Sequence, residues 1–345
     1  MKGLIPILAV FLLLSCGSDK DSPSRKPGYA GKSGEVLIAM DRELIGSDLE
    51  IALNDAFSVP LPRNPQPEPR MDVRTVATED MKTYSKLHRN LVIVDLGKQS
   101  RKVAVSRDVW SRGQIVLRVL APDINTAVEV VKDKAEQMLA MVEQEERLRT
   151  MVRLERHTSK FLEDRVFNEH GVRFTIPEEY KLRGQNKHFV WLEVDRSKYK
   201  GANEHHAVQG ILLYHYPFTN DSLLEQEQLT ARRDSTLRRN LPGPSNGSYM
   251  STEYKFRDID LSPIAWEITH DGMYAVYQQG LWRMQNDFMG GPFVSLTQVD
   301  SIAGRVVTLE GFIYSPEFPK REMLREMDAI VHSLEVSPVA SIKPE

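Results

Sequence analysis

The sequence predicts an α/β domain with a mixed sheet, then a long helical connector, then an α+β domain built on one antiparallel sheet. Three observations lead there. Compact apolar runs alternate with helix-period segments up to about residue 124. No Pro or Gly interrupts the chain from Asp123 to His170. Beyond Gly171, long alternating segments follow one another across short turns. The expected boundaries are 34–124 for the α/β domain, 125–170 for the connector and 171–336 for the α+β domain. A signal peptide at 1–15 and a tether at 16–33 precede them, and a flexible tail at 337–345 follows.

Lys2 precedes an apolar run from Leu4 to Leu14. Eleven residues fall short of the roughly 20 that a transmembrane helix needs, but suit the core of a signal peptide. The run ends in Leu13-Leu14-Ser15-Cys16-Gly17, which resembles the lipobox of bacterial lipoproteins. That resemblance implies a diacylglycerol on the Cys16 thiol and cleavage before it. Two or three acyl chains, at ~0.8 kcal/mol per buried methylene, give lasting attachment to a membrane. Gly17 to Ser33 is rich in Ser, Asp, Lys, Pro and Gly, the composition of a flexible tether. Gly17 does not resemble an aspartate-type inner-membrane retention signal, so the expected address is the outer membrane of the cell envelope.

Within the first domain, Val36 to Met40 reads as a buried strand, and Ser47 to Phe57 as a helix with Leu49, Ala52, Leu53 and Ala56 on one face. Pro60, Pro62, Pro65, Pro67 and Pro69 exclude a helix and predict an extended polyproline-like excursion. Met71 to Val76 reads as a strand and Asp80 to His88 as a short helix. Leu91 to Leu96 and Gln114 to Leu120 read as further strands. The helical stretch opens after Pro122 with Asn125 or Thr126 as its cap. Unbroken to Asn168, it would span roughly 65 Å, so it is either a long connector or a helix broken near His157 to Lys160. Phe174 to Pro177 begins the strand-rich part. Phe189 to Val194, Gly210 to Tyr216, Tyr249 to Tyr254, Tyr274 to Trp282, Phe293 to Val299 and Val306 to Tyr314 continue it. Leu223 to Arg239 is a helix inserted among them. Lys320 to Leu334 is an amphipathic closing helix that buries Met323, Leu324, Met327, Ile330, Val331 and Leu334.

Composition narrows the function classes. With 45 basic and 48 acidic residues, the net charge of −3 creates no global field toward nucleic acid. Cys16 is the one cysteine, so lipidation leaves neither a disulfide nor a catalytic thiol.

Asn240-Leu241-Pro242-Gly243-Pro244-Ser245, Gly247 to Met250, Gly280-Leu281-Trp282, Met289 to Phe293 and Glu310 to Pro316 resemble an uncharacterised lipoprotein family of Bacteroidetes. The resemblance extends over nearly the whole chain, including Leu91 to Asp95 and Asp108-Val109-Trp110. It implies a lipoprotein address and no catalytic residue. The order of strands and helices in the second domain is also similar to the Mog1/PsbP-like fold, an analogy that transfers no function.

No Gly-x-Ser-x-Gly elbow follows a strand, since Ser245 of Gly243-Pro244-Ser245-Asn246-Gly247 lies in a Gly/Pro-rich turn, and no His-Glu-x-x-His pair or phosphate-cradling loop occurs. His205 and His206 are adjacent and would face opposite sides of a strand, so no metal site and no cofactor is expected. Trp282, Phe288, Met289, Gly290, Gly291, Pro292 and Phe293 form an apolar, glycine-containing connection between two strands. It reads either as a hairpin that completes the core or as a contact surface for a ligand or partner. Arg232, Arg233, Arg238 and Arg239 read as a solvated helix face. The expectation is an envelope lipoprotein of the binding type, held to the membrane through Cys16, with an envelope protein, glycan or lipid as partner and no nucleic acid. The alternative is a hydrolase of envelope polymers using carboxylate or histidine chemistry.

Overall fold

Alternation along Glu35–Met40 (β1) sends Val36, Ile38 and Met40 to one face and Leu37 and Ala39 to the other. A computed structural model describes residues 26–337. The segment expected as a signal peptide, Cys16, the first part of the expected tether and the residues from Pro338 onward lie outside the described residues. Asp48–Phe57 (α1) buries Leu49, Ala52, Leu53, Ala56 and Phe57 on the first of those faces. Asp72–Ala77 (β2) then runs parallel to β1. Thr83–Lys86 (α2) is a single turn, shorter than the helix expected from Asp80 to His88. Asn90–Leu96 (β3), Lys102–Arg107 (β4) and Ile115–Ala121 (β5) complete a five-stranded sheet of order β2-β1-β3-β5-β4. Only β4 is antiparallel, lying at the edge against β5. It lacks a compact apolar run, so hydropathy passed over it.

Ile124–Leu154 (α3) has 31 residues, about 46 Å at the standard rise. Its cap is Asp123, whose carboxylate receives the Thr126 N–H at 2.8 Å, and not Asn125 or Thr126. Ala127, Val130, Val131, Met138, Leu139 and Val142 pack on the first sheet, so most of the expected connector is the roof of that domain. The helix stops without Gly or Pro. The Ser159 N–H instead donates to the Ile176 carbonyl at 2.8 Å, and Thr158 bridges Pro177. Ser159 then caps Lys160–His170 (α4). The break lies where the shorter alternative put it. Residues 26–33, expected in the flexible tether, are docked: Ala30 exchanges backbone hydrogen bonds with Leu87 and Arg89, at 2.8 and 2.9 Å.

In the second domain Val172–Arg173 (β6) is only two residues long, and Phe174 to Pro177, expected as a strand, leaves the ladder while burying Phe174 and Ile176. Lys181–Asn186 (β7), with Leu182 as its single large apolar residue, was not legible. Phe189–Lys200 (β8), Asn203–Pro217 (β9), Gln226–Asn240 (α5), Tyr249–Thr252 (β10), Lys255–Phe256 (β11), Ile259–Asp260 (β12) and Ile264–His270 (β13) follow. Then come Met273–Gln285 (β14), Gly290–Asp300 (β15), Arg305–Tyr314 (β16), Arg321–Val331 (α6) and Glu335–Val336 (β17). The antiparallel sheet has the order β10-β14-β15-β16-β9-β8-β7, with β13 also on β14. Both faces are covered. Val307, Leu309 and Ile313 of β16 meet Met323, Leu324, Met327, Ile330, Val331 and Leu334 around α6. Phe312, Trp282, Met284 and Phe293 meet Leu237 and Leu241 beside α5.

The proline-rich segment doubles back and is not an extended excursion. Pro60 bridges Pro69, and Leu61 donates its N–H to the Glu68 carbonyl at 2.8 Å. Its tip reaches the second domain: Arg63 Nε donates to the Ser262 carbonyl, and Gln279 donates to that of Pro62, both at 2.7 Å. Separately, Arg147 of α3 pairs with Asp328 of α6 at 2.7 Å.

Candidate functional site

Arg89, Arg149, Arg153, Arg196, Lys198 and Arg325 line a cleft of about 390 Å³ where the two domains meet. They come from separate parts of the fold. Arg89 lies just before β3, Arg149 and Arg153 on the last turns of α3, Arg196 and Lys198 on the far half of β8, and Arg325 on α6. Tyr29, from the docked N-terminal segment, closes one side, with the Arg89 and Arg149 guanidinium carbons 4.7 and 5.4 Å from its ring centre.

The base of the cleft is rigid. Glu146 is buried and receives Arg89 Nη2 at 2.6 Å, Arg149 Nη1 at 2.9 Å and Asn90 Nδ2 at 2.6 Å. Arg149 also donates to Asn90 Oδ1 and the Arg89 carbonyl, each at 3.0 Å, and to the Gly113 carbonyl at 2.6 Å. Its guanidinium is fully engaged and holds the wall together. Arg89 is less so, since its buried Nε has no hydrogen-bond partner among the described residues. Two guanidinium groups therefore share one carboxylate.

The rim repeats that imbalance. Glu326 is shared by Arg196 at 3.1 Å and Arg153 at 3.4 Å, Arg196 also pairs with Glu179, and Arg325 pairs with Glu322. Six cations facing four carboxylates (Glu146, Glu179, Glu322 and Glu326) leave a surplus of two positive charges. Lys198 is the cation without a carboxylate partner among the described residues. Its ammonium lies 3.8 Å from Met323 Sδ and 5.4 Å from the centre of the Phe318 ring. Burial, then the charge of Arg196, pushes it below the usual lysine value, against the pull of Glu326. An anion entering the cleft would meet this under-paired ammonium above a fixed guanidinium base, which suits carboxylate or phosphate oxygens.

The connection singled out in the sequence is divided by the fold. Trp282 is buried and donates Nε1–H to the Ile313 carbonyl at 3.0 Å. Phe293 is buried beneath Arg233, Met289 packs beside it, and Pro292 is buried on β15. Gly291 is required by packing, because a Cβ there would lie 2.0 Å from the Ile313 oxygen; at Gly290 it would lie 2.9 Å from the Trp282 oxygen. Phe288 alone stands fully in solvent. Trp282, Met289 and Phe293 thus complete the core, and the contact-surface reading retains one residue. Cys16, the lipidation site expected from sequence, lies outside the described residues.

Other polar groups have structural partners. Arg233, read as part of a solvated face, is buried and bidentate to Glu310. His206 pairs with Asp195 at 3.0 Å while His205 stacks edge-on to Phe318, on opposite sides as expected. Among the described residues no group of three or more His, Cys, Asp or Glu side chains is arranged to hold a metal ion. Sequence reasoning missed the cleft because its residues are scattered. The nearest signal in the sequence is the density of Glu and Arg from Glu143 to Arg156.

A mixed-sheet domain and an antiparallel-sheet domain, meeting at a cationic cleft, define the class of this protein. The chain belongs to the family described as Domain of unknown function (DUF4837), whose model matches residues 159–333. A second model, Domain of unknown function (DUF8532), matches residues 30–155. The two matches meet at the break between α3 and α4, which assigns α3 to the first sheet. No curated protein matches the chain. Among solved structures, a mutant of Protein Mog1 is similar at 10% identity with a TM-score of 0.30, covering 49% of this chain and 92% of that one.

Proposed function

We propose that this chain is a cell-envelope lipoprotein, of the uncharacterised Bacteroidetes type that its motifs resemble, and that it binds an anionic envelope component in the interdomain cleft without transforming it. The observation that carries the binding reading is the under-paired Lys198 above the Arg89–Glu146–Arg149 base. The anchoring reading rests on Leu13-Leu14-Ser15-Cys16. Tyr29 lies 13 residues after Cys16 in the sequence, which would place the cleft close to the membrane and to charged glycan or lipid headgroups.

Two measurements test the proposal. Replacing Cys16 by Ala should abolish fatty-acid labelling and release the protein from the membrane fraction; unchanged retention overturns the anchor. Titration of the full-length protein in neutral detergent with tripolyphosphate and with a uronic-acid oligomer should show saturable binding that weakens as salt rises. Lys198→Glu should reduce that affinity about tenfold or more at unchanged melting temperature. Equal binding by the variant, or none by either protein, removes the cleft reading. Chain-shortened oligomer after prolonged incubation would favour hydrolysis instead.

A further inference from the structure

At one end of the second sheet, two hollows join across Met273, Val299 and Ser301. The larger, about 690 Å³, adds Phe218, Leu224 and Tyr274. The smaller, about 360 Å³, adds Ile302 and Val336. Ile302 is 79% exposed, Tyr274 49% and Met273 40%. Three large apolar side chains are thus presented together where the turns between β13 and β14 and between β15 and β16 meet. A contiguous surface of that kind is a recognised signature of docking.

Its rim has one sign of charge. Asp221, Glu225 and Glu267 border the larger hollow, and Asp271, Asp300 and Glu335 the smaller. Among the described residues no lysine or arginine lines either one. Asp300 is committed to Arg305 at 2.9 Å, and Asp271 faces His270 at 3.6 Å. The others form no ion pair among the described residues. An acidic rim repels the anionic headgroups of a bilayer, which argues against lipid as the occupant. An apolar floor with a carboxylate border is complementary to a segment carrying leucine-like residues on one face and lysine or arginine on the other.

We infer that this end of the sheet is a docking surface for a cationic amphipathic segment of a protein partner, separate from the anion-binding cleft. The probe is a fluorescent helical peptide with leucine on one face and lysine on the other, titrated into the full-length protein and compared with its glutamate counterpart. The lysine peptide should bind and the glutamate peptide should not. Met273→Ser with Ile302→Ser, which keeps every charge, should weaken binding about tenfold, as should Glu225→Gln with Glu267→Gln. All four positions are exposed, so melting temperatures should stay at the wild-type value. Lys198→Glu should leave the peptide affinity unchanged. Binding that survives the Met273/Ile302 change is attraction to acidic residues in general and overturns the inference, as does absence of binding. A peptide-free dimer dissolved by Ile302→Ser would assign the surface to a second copy and overturn it too.

Discussion

The Glu68 carboxylate receives the backbone N–H of Lys320 at 2.8 Å, with its second oxygen on the N–H of Arg321 at 3.0 Å. A side chain of the first domain thereby caps a helix of the second. The first N–H groups of a helix have no partner within it, and a carboxylate there also meets the positive end of the helix dipole. Glu68→Ala should destabilise the protein by about 1 kcal/mol, the ordinary value of a lost cap. The loss should appear in hydrogen exchange as faster opening of Lys320 to Leu324, with β1 to β3 unchanged. Uniform acceleration across both domains would mean that Glu68 acts on global folding and not on the α6 terminus.

Arg233 and Glu310 present a different balance. Nε and Nη2 of Arg233 donate to the two carboxylate oxygens at 2.9 and 2.7 Å, Nη1 donates to Thr252 Oγ1 at 2.9 Å, and the guanidinium covers the Phe293 ring at 3.8 Å. Removing Glu310 leaves the buried guanidinium with only the more distant Asp234, at 3.7 Å, at a cost of about 3–5 kcal/mol, whereas removing both partners need cost little. Glu310→Ala should lose that amount in urea unfolding, and Arg233→Met combined with Glu310→Leu should recover most of it. If the double variant is no better than Glu310→Ala, the polar network contributes to stability through more than mutual neutralisation.

The connection between β14 and β15 supplies a sharper contrast. Trp282 is 2% exposed and fills the core beside α5, while Phe288, two residues before β15, is fully exposed. Trp282→Ala should cost about 3–5 kcal/mol. Phe288→Ser should change stability by no more than about 0.5 kcal/mol. Urea unfolding of the two variants measures both. A large loss from Phe288→Ser would show that its ring packs in solution.

Much of this architecture is legible in the sequence because burial writes itself into spacing. Leu49, Ala52, Leu53 and Ala56 recur at helical intervals and pack on β1, and α6 buries Met323, Leu324, Met327, Ile330 and Val331 as expected, while Leu334 is buried beyond the helix end at Val331. Elements whose stability comes from a neighbour are not legible. β7 and β4 are edge strands held by ladder hydrogen bonds, with few buried side chains. The proline-rich loop announces that it is not helical, but nothing local reveals that Glu68 meets a helix 252 positions away. The cleft is hidden for the same reason. Lys198 looks like any strand lysine until β8 and α6 bring Arg196 and Met323 beside it.

Histidine supplies a pH dependence whose sign is fixed. His215 lies with Nε2 3.4 Å from His170 Nδ1 and Nδ1 3.5 Å from His188 Nδ1. Burial, then Arg305, His170 and His188, push its pKa from 6.5 down to about 4, against Asp300. Burial also lowers His170, opposed by Glu169 and reinforced by Arg305 and His188. Between these limits the unfolded chain binds protons that the folded chain refuses, so stability rises with pH across the window. The contribution is fully present above about 6.5 and declines as pH falls toward 4. Melting temperature measured from pH 7 to pH 4 should therefore fall more steeply for wild type than for His215→Gln, which keeps polar groups at the site and removes the titration. Parallel curves for wild type and His215→Gln would mean that the acid sensitivity arises elsewhere, with the carboxylates of the interdomain ion pairs next in line.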